Sequence, residues 1–156
     1  MIIRDADPGD DALIIMTGAR DCVRRHREHL GQLNLGSLFP DDYDVLVKAM
    51  SRIVGLEGME ILIAEHEEKA VGGIGTLYSP YMWNPEITVA DQLFWWAAEN
   101  APFRTAKVLI DETMRRIDER GAMPLFRIPN TLSQGIGKLY RRLNMIPVET
   151  TYMRLP

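Results

Sequence analysis

The chain has 156 residues, in which 18 Lys and Arg stand against 22 Asp and Glu, for a formal net charge of −4. That length suits one domain over residues 1–156, and 46% hydrophobic with 26% charged residues excludes a disordered chain or a collagen-like repeat. No apolar stretch approaches the roughly 18 residues of a membrane span, no secretory signal is evident, and a single cysteine, Cys22, cannot form an internal disulfide. We therefore expect a soluble, cytoplasmic protein without a membrane partner.

The charge is distributed unevenly along the chain. Residues 1–103 carry eight basic and seventeen acidic side chains, a net charge of −9, whereas residues 104–156 carry ten basic and five acidic ones, a net charge of +5. A basic C-terminal third suits a compact polyanionic ligand. An ordinary solvated helix surface explains the same counts equally well.

The first elements are a strand and two helices. Residues 2–4 read as a short strand, and residues 7–10 (Asp-Pro-Gly-Asp) have the Asp cap and early Pro of a helix start. The helical pattern breaks at residues 31–36. A second helix begins at residues 39–42 (Phe-Pro-Asp-Asp) and ends at Gly55.

The next part of the chain has the character of strands. Residues 59–66 and 71–78 are apolar, β-rich runs joined by residues 67–70, which predicts a hairpin. Three glycines lie inside the second run and, without the Lys-Ser/Thr of a phosphate loop, are interpreted as allowing close backbone approach: Gly72, Gly73 and Gly75. A turn-rich stretch at residues 79–85 precedes a strand at residues 88–98.

The last third alternates helices and strands. It reads as a helix at residues 103–120, a strand at 124–128, a helix at 131–143 that starts with a capping box, and a closing strand at 148–155. Residues 88–128 therefore form a strand–helix–strand unit. A parallel crossover of this kind puts the helix N-terminus, a favourable place for anions, at the carboxyl end of the first strand. The basic third of the chain begins there.

This order of elements resembles the GCN5-related N-acetyltransferase (GNAT) superfamily over nearly the whole chain. Its clearest segments are residues 1–10 and residues 139–149 (Leu-Tyr-Arg-Arg-Leu-Asn-Met-Ile-Pro-Val-Glu), which are similar to the family's last-helix tyrosine, Leu-Gly-Phe-type turn and Pro-Val-Glu strand. Residues 93–96 (Leu-Phe-Trp-Trp) and the following helix resemble the central strand and the acetyl-CoA-binding helix, in a style seen in bacteriophage-encoded members. The resemblance implies an α/β (α+β) fold with a mixed, mostly antiparallel twisted sheet flanked by helices.

Two segments depart from the family pattern. The pyrophosphate loop of the family is Arg/Gln-x-x-Gly-x-Gly/Ala, but in residues 101–106 only Ala106 fits, and a register anchored on Arg104 contains no glycine. The Leu-Gly-Phe turn is Leu-Asn-Met at residues 143–145. Asn tolerates the left-handed conformation that Gly usually supplies.

The resemblance implies transfer of an acetyl group from acetyl-CoA, a cosubstrate, to an amine that attacks it directly. Tyr140 would protonate the leaving thiolate, since a tyrosine with a pKa of about 10 is protonated at pH 7; packing in the core is its alternative role. Asp91 is the candidate base, although it would face away from Gln92, which cannot act as one. Other carboxylates remain open as the base: Glu86, Glu99 and Glu149.

By the same resemblance, acetyl-CoA would contact the end of the central strand and the start of the next helix. The strand backbone would supply the oxyanion donor, and Arg104 and Lys107 would add positive charge for the phosphates. The predicted cofactor-binding residues are Trp96, Ala97, Ala98, Arg104, Thr105, Ala106, Lys107 and Asn130. No metal site is predicted, because His26 and His29 lack a third ligand at suitable spacing.

Other functions stay open at this point. The missing loop glycines also suit a non-catalytic GNAT-fold protein with a binding or structural role. The basic helix around Arg24 and Arg25 suits a nucleic-acid adaptor, which the acidic net charge disfavours. The expected partner is an amine acceptor, either a small molecule or a protein, and a homodimer is expected only because homodimers are common.

Overall fold

The structure of the chain, a computed structural model, describes residues 1–7, 9, 11–31, 43–126 and 133–147. Within these ranges, strands and helices follow one another as β1 (Ile2–Asp5), α1 (Ala12–Gly31), α2 (Tyr43–Val54), β2 (Met59–His66), β3 (Lys69–Tyr81), β4 (Asn84–Ala97), α3 (Thr105–Glu119), β5 (Met123–Leu125) and α4 (Ser133–Arg142). The predicted closing strand at residues 148–155, the helix start at 39–42 and the capping residues 131–132 lie outside them.

The strands form a single twisted sheet in the order β1-β2-β3-β4-β5. The first three pairings are antiparallel, and β4 with β5 is the one parallel pair in the described sheet. Helix α3 makes the crossover between the two parallel strands, as the strand–helix–strand prediction required. The mixed, mostly antiparallel sheet flanked by helices is therefore confirmed.

Each face of the sheet is covered by two helices. On one face, α1 and α2 pack Ile15 and Met50 against Ile61 and Phe94 of the sheet. On the other face, α3 and α4 contribute to a cluster of buried residues that includes Leu62, Ile74, Leu109 and Tyr140. Because successive strand residues point to opposite faces, the neighbours Ile61 and Leu62 belong to different layers.

The two hairpins are tighter than predicted. The β2–β3 turn consists of Glu67 and Glu68, whose positive φ values of 51° and 61° match the two-residue turns favoured between twisted antiparallel strands. The turn predicted at residues 79–85 lies within that stretch but is shorter, because β3 continues to Tyr81 and β4 begins at Asn84. Pairing across the hairpin outweighs the turn preference of its Ser, Pro and Asn residues.

The start of helix α1 is tied to the sheet by a buried carboxylate. Asp11, of which only 5% is exposed, binds both terminal nitrogens of Arg4 on β1 at 2.6 Å and 2.8 Å. It also accepts the backbone N–H of Asp7 at 2.8 Å, and Arg4 in turn binds Glu65 of β2 at 2.7 Å. The hydrogen bonds from Arg4 lower the pKa of Asp11.

Replacing this carboxylate should destabilise the fold. Asp11→Asn leaves Arg4 without its buried partner, so the free energy of unfolding in urea at pH 7 should fall by about 2–4 kcal/mol. Because the folded-state pKa of Asp11 is lowered, its contribution is present at neutral pH and disappears as the pH falls below about 4. The free energies of unfolding of wild type and Asp11→Asn should therefore become equal in acid. Asp118→Asn, at an exposed position of α3, is the control and should change stability by less than about 0.5 kcal/mol.

No helix within the described ranges is long and apolar enough to cross a membrane.

Candidate active site

Strand β4 contains an irregularity at the centre of the sheet. Gly75 of β3 pairs with Phe94, but Thr76 pairs with Gln92, so Leu93 is an extra residue on β4. Such a bulge interrupts the alternation of side chains along a strand. Leu93 and Phe94 both pack on the α1–α2 side, whereas Gln92 lies on the side of α4.

The bulge coincides with the point where β4 and β5 separate. Their parallel pairing ends at Asp91, which lies opposite Leu125, and residues 92–97 pair only with β3 within the described residues. The N–H of Ala98 donates to the carbonyl of Val71 on β3 at 2.9 Å. Because backbone groups alternate in direction along an antiparallel strand, those of Ala97 point the opposite way. We call residues 92–97 the open edge of β4.

Helix α4 brings Tyr140 to this open edge. The Tyr140 hydroxyl donates a hydrogen bond of 2.8 Å to Oε1 of Gln92, and each of the two residues is only 6% exposed. The Phe126 ring packs edge-on against the phenol, with centroids 5.3 Å apart and an interplanar angle of 66°. Burial raises the pKa of Tyr140 above its ordinary value. The phenol is therefore protonated at neutral pH, and burial makes it a weaker acid than a free tyrosine.

The start of α3 lies beside the C-terminal end of the same strand. A Cβ on Gly72 of β3 would lie 2.9 Å from Cγ2 of Thr105, so this glycine allows the helix to approach the sheet closely. Thr105 itself is 1% exposed, its N–H donates to Pro102, and its hydroxyl lies 3.4 Å from the sulfur of Met1. Its side chain therefore serves packing at this place.

The first turn of α3 is electrostatically favourable for an anion. It contains no acidic residue, and its N-cap residue, Arg104, makes no side-chain capping bond. Arg104 and Lys107 are exposed, and Lys107 forms an ion pair with Asp111 one turn further on. Arg104 has φ −92° and ψ −1°, a negative-φ conformation that any L-residue can adopt, so the backbone conformation itself does not require a glycine here. Ala106 is half-buried behind these cations.

The structure brings together some of the predicted site residues and separates others. Tyr140 contacts β4 at Gln92, whereas Ala97 and Ala98 lie at the C-terminal end of the strand, beside the start of α3. Asp91 is half-buried and, one residue before Gln92 in a regular stretch, lies on the opposite face of β4 from Tyr140. The Trp96 indole also points away, between Gly18 and Gly73 on the α1 side. Asn130 lies outside the described residues. The roles assigned to all of these residues stay predictions.

The bond between Tyr140 and Gln92 is absent from the sequence-based interpretation, which considered Gln92 only as a failed base. A buried amide in an apolar strand requires a partner, and this requirement is the signal that could have pointed to a polar residue on a neighbouring helix. No group of three or more His, Cys, Asp or Glu that could hold a metal ion occurs in the described part of the chain.

Solved structures share this architecture. The ribosomal-protein-alanine N-acetyltransferase of Brucella melitensis biovar Abortus 2308 has a TM-score of 0.71 at 15% identity, and the match covers 99% of each chain. An aminoglycoside antibiotic 6′-N-acetyltransferase of Acinetobacter haemolyticus has a TM-score of 0.69 at 9% identity, covering 100% of this chain and 98% of that chain. An aminoglycoside acetyltransferase from an uncultured soil metagenomic sample reaches 0.64 at 14% identity, covering 99% and 97%. The chain has the GNAT fold.

At these identities the likeness to GNAT structures shows the fold alone. No protein-family model matches the sequence, and no curated protein matches it. The resemblance to bacteriophage-encoded members stays a prediction. The turn after α4 is left-handed at Asn144, with φ 59°, a conformation that Asn tolerates.

Proposed function

We propose that this chain is an N-acetyltransferase, which transfers the acetyl group of acetyl-CoA to a primary amine by direct attack while both substrates are bound. The observation that carries the proposal is the buried, protonated Tyr140 at the open edge of β4, in a GNAT fold. The structural neighbours named as acetyltransferases of ribosomal-protein alanine and of aminoglycosides support the reaction class.

The residues around the open edge suit acetyl-CoA. Its phosphates would meet the N-terminus of α3, where the helix dipole and the charges of Arg104 and Lys107 favour an anion. Because a side chain at residue 104 limits backbone approach, we propose that the guanidinium of Arg104 binds the phosphates directly. The neutral arm of the cosubstrate would follow the edge.

Acetyl-CoA supplies an acetyl group already activated as a thioester, and side chains of the protein donate and accept the protons that the transfer requires. Tyr140 donates its proton to the departing thiolate, whose thiol has a pKa of about 8.5, well below that of a buried tyrosine. Because of this difference in pKa the transfer is uphill; it takes place as negative charge develops on sulfur during cleavage of the carbon–sulfur bond, and reprotonation of the phenolate completes it. We propose that a backbone N–H group near the end of β4, in the region that the resemblance indicates, stabilises charge on the thioester oxygen.

The acceptor must lose a proton, since an alkyl amine with a pKa of about 10.4 is mostly protonated at neutral pH. We propose Asp91 for this step, directly or through water. The acidic character of residues 1–103 favours a cationic acceptor, either a small amine or a protein. A cytoplasmic location and a homodimer stay predictions.

Binding of acetyl-CoA tests the role of the α3 N-terminus. Calorimetry should show binding that weakens about tenfold in Arg104→Glu, because a repulsive charge replaces an attractive one near the phosphates. An acidic residue at a helix N-terminus does not destabilise the helix, so the loss cannot be attributed to unfolding. Lys48→Glu reverses an exposed charge on α2, across the sheet from this helix, and should bind like wild type. Equal weakening in both variants would contradict the assignment.

A non-catalytic GNAT-fold binding protein is the second candidate. The observation in its favour is Arg104, which stands where the family loop has a glycine. This candidate predicts that acetyl-CoA binds, or fails to bind, without thiol release in the presence of any amine. A screen of small amines and peptides for thiol release separates it from the enzyme.

A further inference from the structure

Gln92 makes the single hydrogen bond of the Tyr140 hydroxyl within the described residues, at 2.8 Å. Both side chains are almost fully buried, so water does not compete for this contact. In the middle of β4, directly before the bulge at Leu93, Gln92 has a fixed backbone that determines where the phenol oxygen lies. Its position thus determines where along β4 the Tyr140 hydroxyl is held.

The chemistry of an amide suits a tyrosine that must give up its proton. The Gln92 oxygen accepts a hydrogen bond from the neutral hydroxyl, and its NH₂ group can donate one after the amide rotates. A phenolate next to an N–H donor is stabilised, whereas a phenolate next to a carboxylate is destabilised. An amide is also neutral, so it does not oppose the negative charge that forms on the phenol oxygen.

We propose that Gln92 is a positioning residue for Tyr140, which holds the hydroxyl at the open edge and donates to its oxygen when the proton leaves. The inference rests on the proposed acetyl transfer. In that step the O–H bond of Tyr140 breaks and an S–H bond forms on the leaving thiolate. The phenolate then takes back a proton through solvent, balancing the proton released by the amine.

Two substitutions separate this role from simple packing. Gln92→Met keeps the shape but removes both polar groups, and kcat should fall about tenfold with a nearly unchanged KM for acetyl-CoA, since only the proton transfer is impaired. Gln92→Glu keeps the shape and an acceptor. Its carboxyl group can donate only when it is protonated, so its kcat relative to wild type should rise as the pH falls below the raised pKa of this buried acid.

The control is Thr113→Val, which removes a buried hydroxyl that donates to the Leu109 carbonyl of its own helix, at 2.8 Å. It should lower stability without changing the pH profile. Urea unfolding of each variant confirms that activity is compared between folded proteins. Two results together would overturn the inference while leaving acetyl transfer intact. In the first, the kcat of Gln92→Glu relative to wild type stays constant over pH; in the second, Gln92→Met keeps full activity.

A second readout does not depend on activity. With 3-fluorotyrosine incorporated, the ¹⁹F resonance of residue 140 is assigned by its absence in Tyr140→Phe. In Gln92→Glu this resonance should move as the introduced carboxyl group titrates, and in wild type it should stay constant over the same pH range. A resonance that does not move overturns the inference. If the resonance moves but the protein acetylates no amine, the proposed function is contradicted. The coupling between Gln92 and Tyr140 is then still supported.

Discussion

Tyr140→Phe should lower the turnover of acetyl-CoA with an amine by about 10²–10³-fold, the usual contribution of a general acid. The phenylalanine keeps the ring and its edge-on contact with Phe126, so the site should keep its shape. Removing the hydroxyl leaves Oε1 of Gln92 buried without its partner, which should cost about 1–2 kcal/mol of stability. The KM for acetyl-CoA should change little, because the proton is needed only as the carbon–sulfur bond breaks.

A matched variant separates this effect from the general loss of a tyrosine hydroxyl. Tyr78 is half-buried, donates to Glu60 at 3.2 Å, and has its pKa raised to about 12 by burial and by the charge of Glu60. Thiol release by Tyr78→Phe should match that of wild type. Because burial also raises the pKa of Tyr140, wild-type activity should not decline through tyrosine ionisation up to about pH 10. Equal turnover in Tyr140→Phe and wild type would refute the assigned role.

The strand–helix–strand unit was predictable because its signals are local. An aromatic strand, an amphipathic helix closed by Gly121 and a short apolar strand follow one another, and a parallel crossover is the standard way to connect them. The second hairpin was not predictable in this way. Pro80, Asn84 and Pro85 favour turns, but the strands pair through Tyr81 and Asn84, a contact that depends on tertiary structure.

The candidate site was predictable only in part. Tyr140 follows from the family pattern on the last helix, yet the sequence does not reveal which β4 residue it meets. The extra residue Leu93 shifts the alternation of side chains, so the faces of the strand cannot be counted through it. The burial of Thr105 depends on Gly72, which lies more than thirty residues earlier. Both features arise from contacts between distant segments.

The Trp96 indole gives the second large prediction, because it fills the space between two glycines. A Cβ on Gly18 of α1 would overlap the Cε2, Nε1 and Cδ2 atoms of the ring, and a Cβ on Gly73 of β3 would lie 2.7 Å from its Nε1. Held on both sides, the ring cannot turn away. Gly18→Ala should therefore lower the free energy of unfolding by about 3 kcal/mol, although alanine is the better helix former by about 1 kcal/mol.

A Gly→Ala substitution in α4 should have the opposite effect on stability. Gly137 in α4 has open space around it, with the Arg141 guanidinium 4.0 Å from an added Cβ, so Gly137→Ala should raise stability by about 0.5–1 kcal/mol. Urea unfolding of the two variants measures both effects. If the indole is the cause, Gly18→Ala should cost less in a Trp96→Phe background, with a coupling of at least about 1 kcal/mol.

The overlap at Gly18 also has a consequence for the site. Trp96 lies between Trp95 and Ala97 on the open edge of β4, so an indole pushed away from α1 displaces the backbone at which acetyl-CoA is proposed to bind. Gly18→Ala should therefore raise the KM for acetyl-CoA, whereas Asp11→Asn, which loosens the start of the same helix without touching the indole, should not. If Gly18→Ala lowers the free energy of unfolding equally in the wild-type and Trp96→Phe proteins, contact with the indole is not the cause.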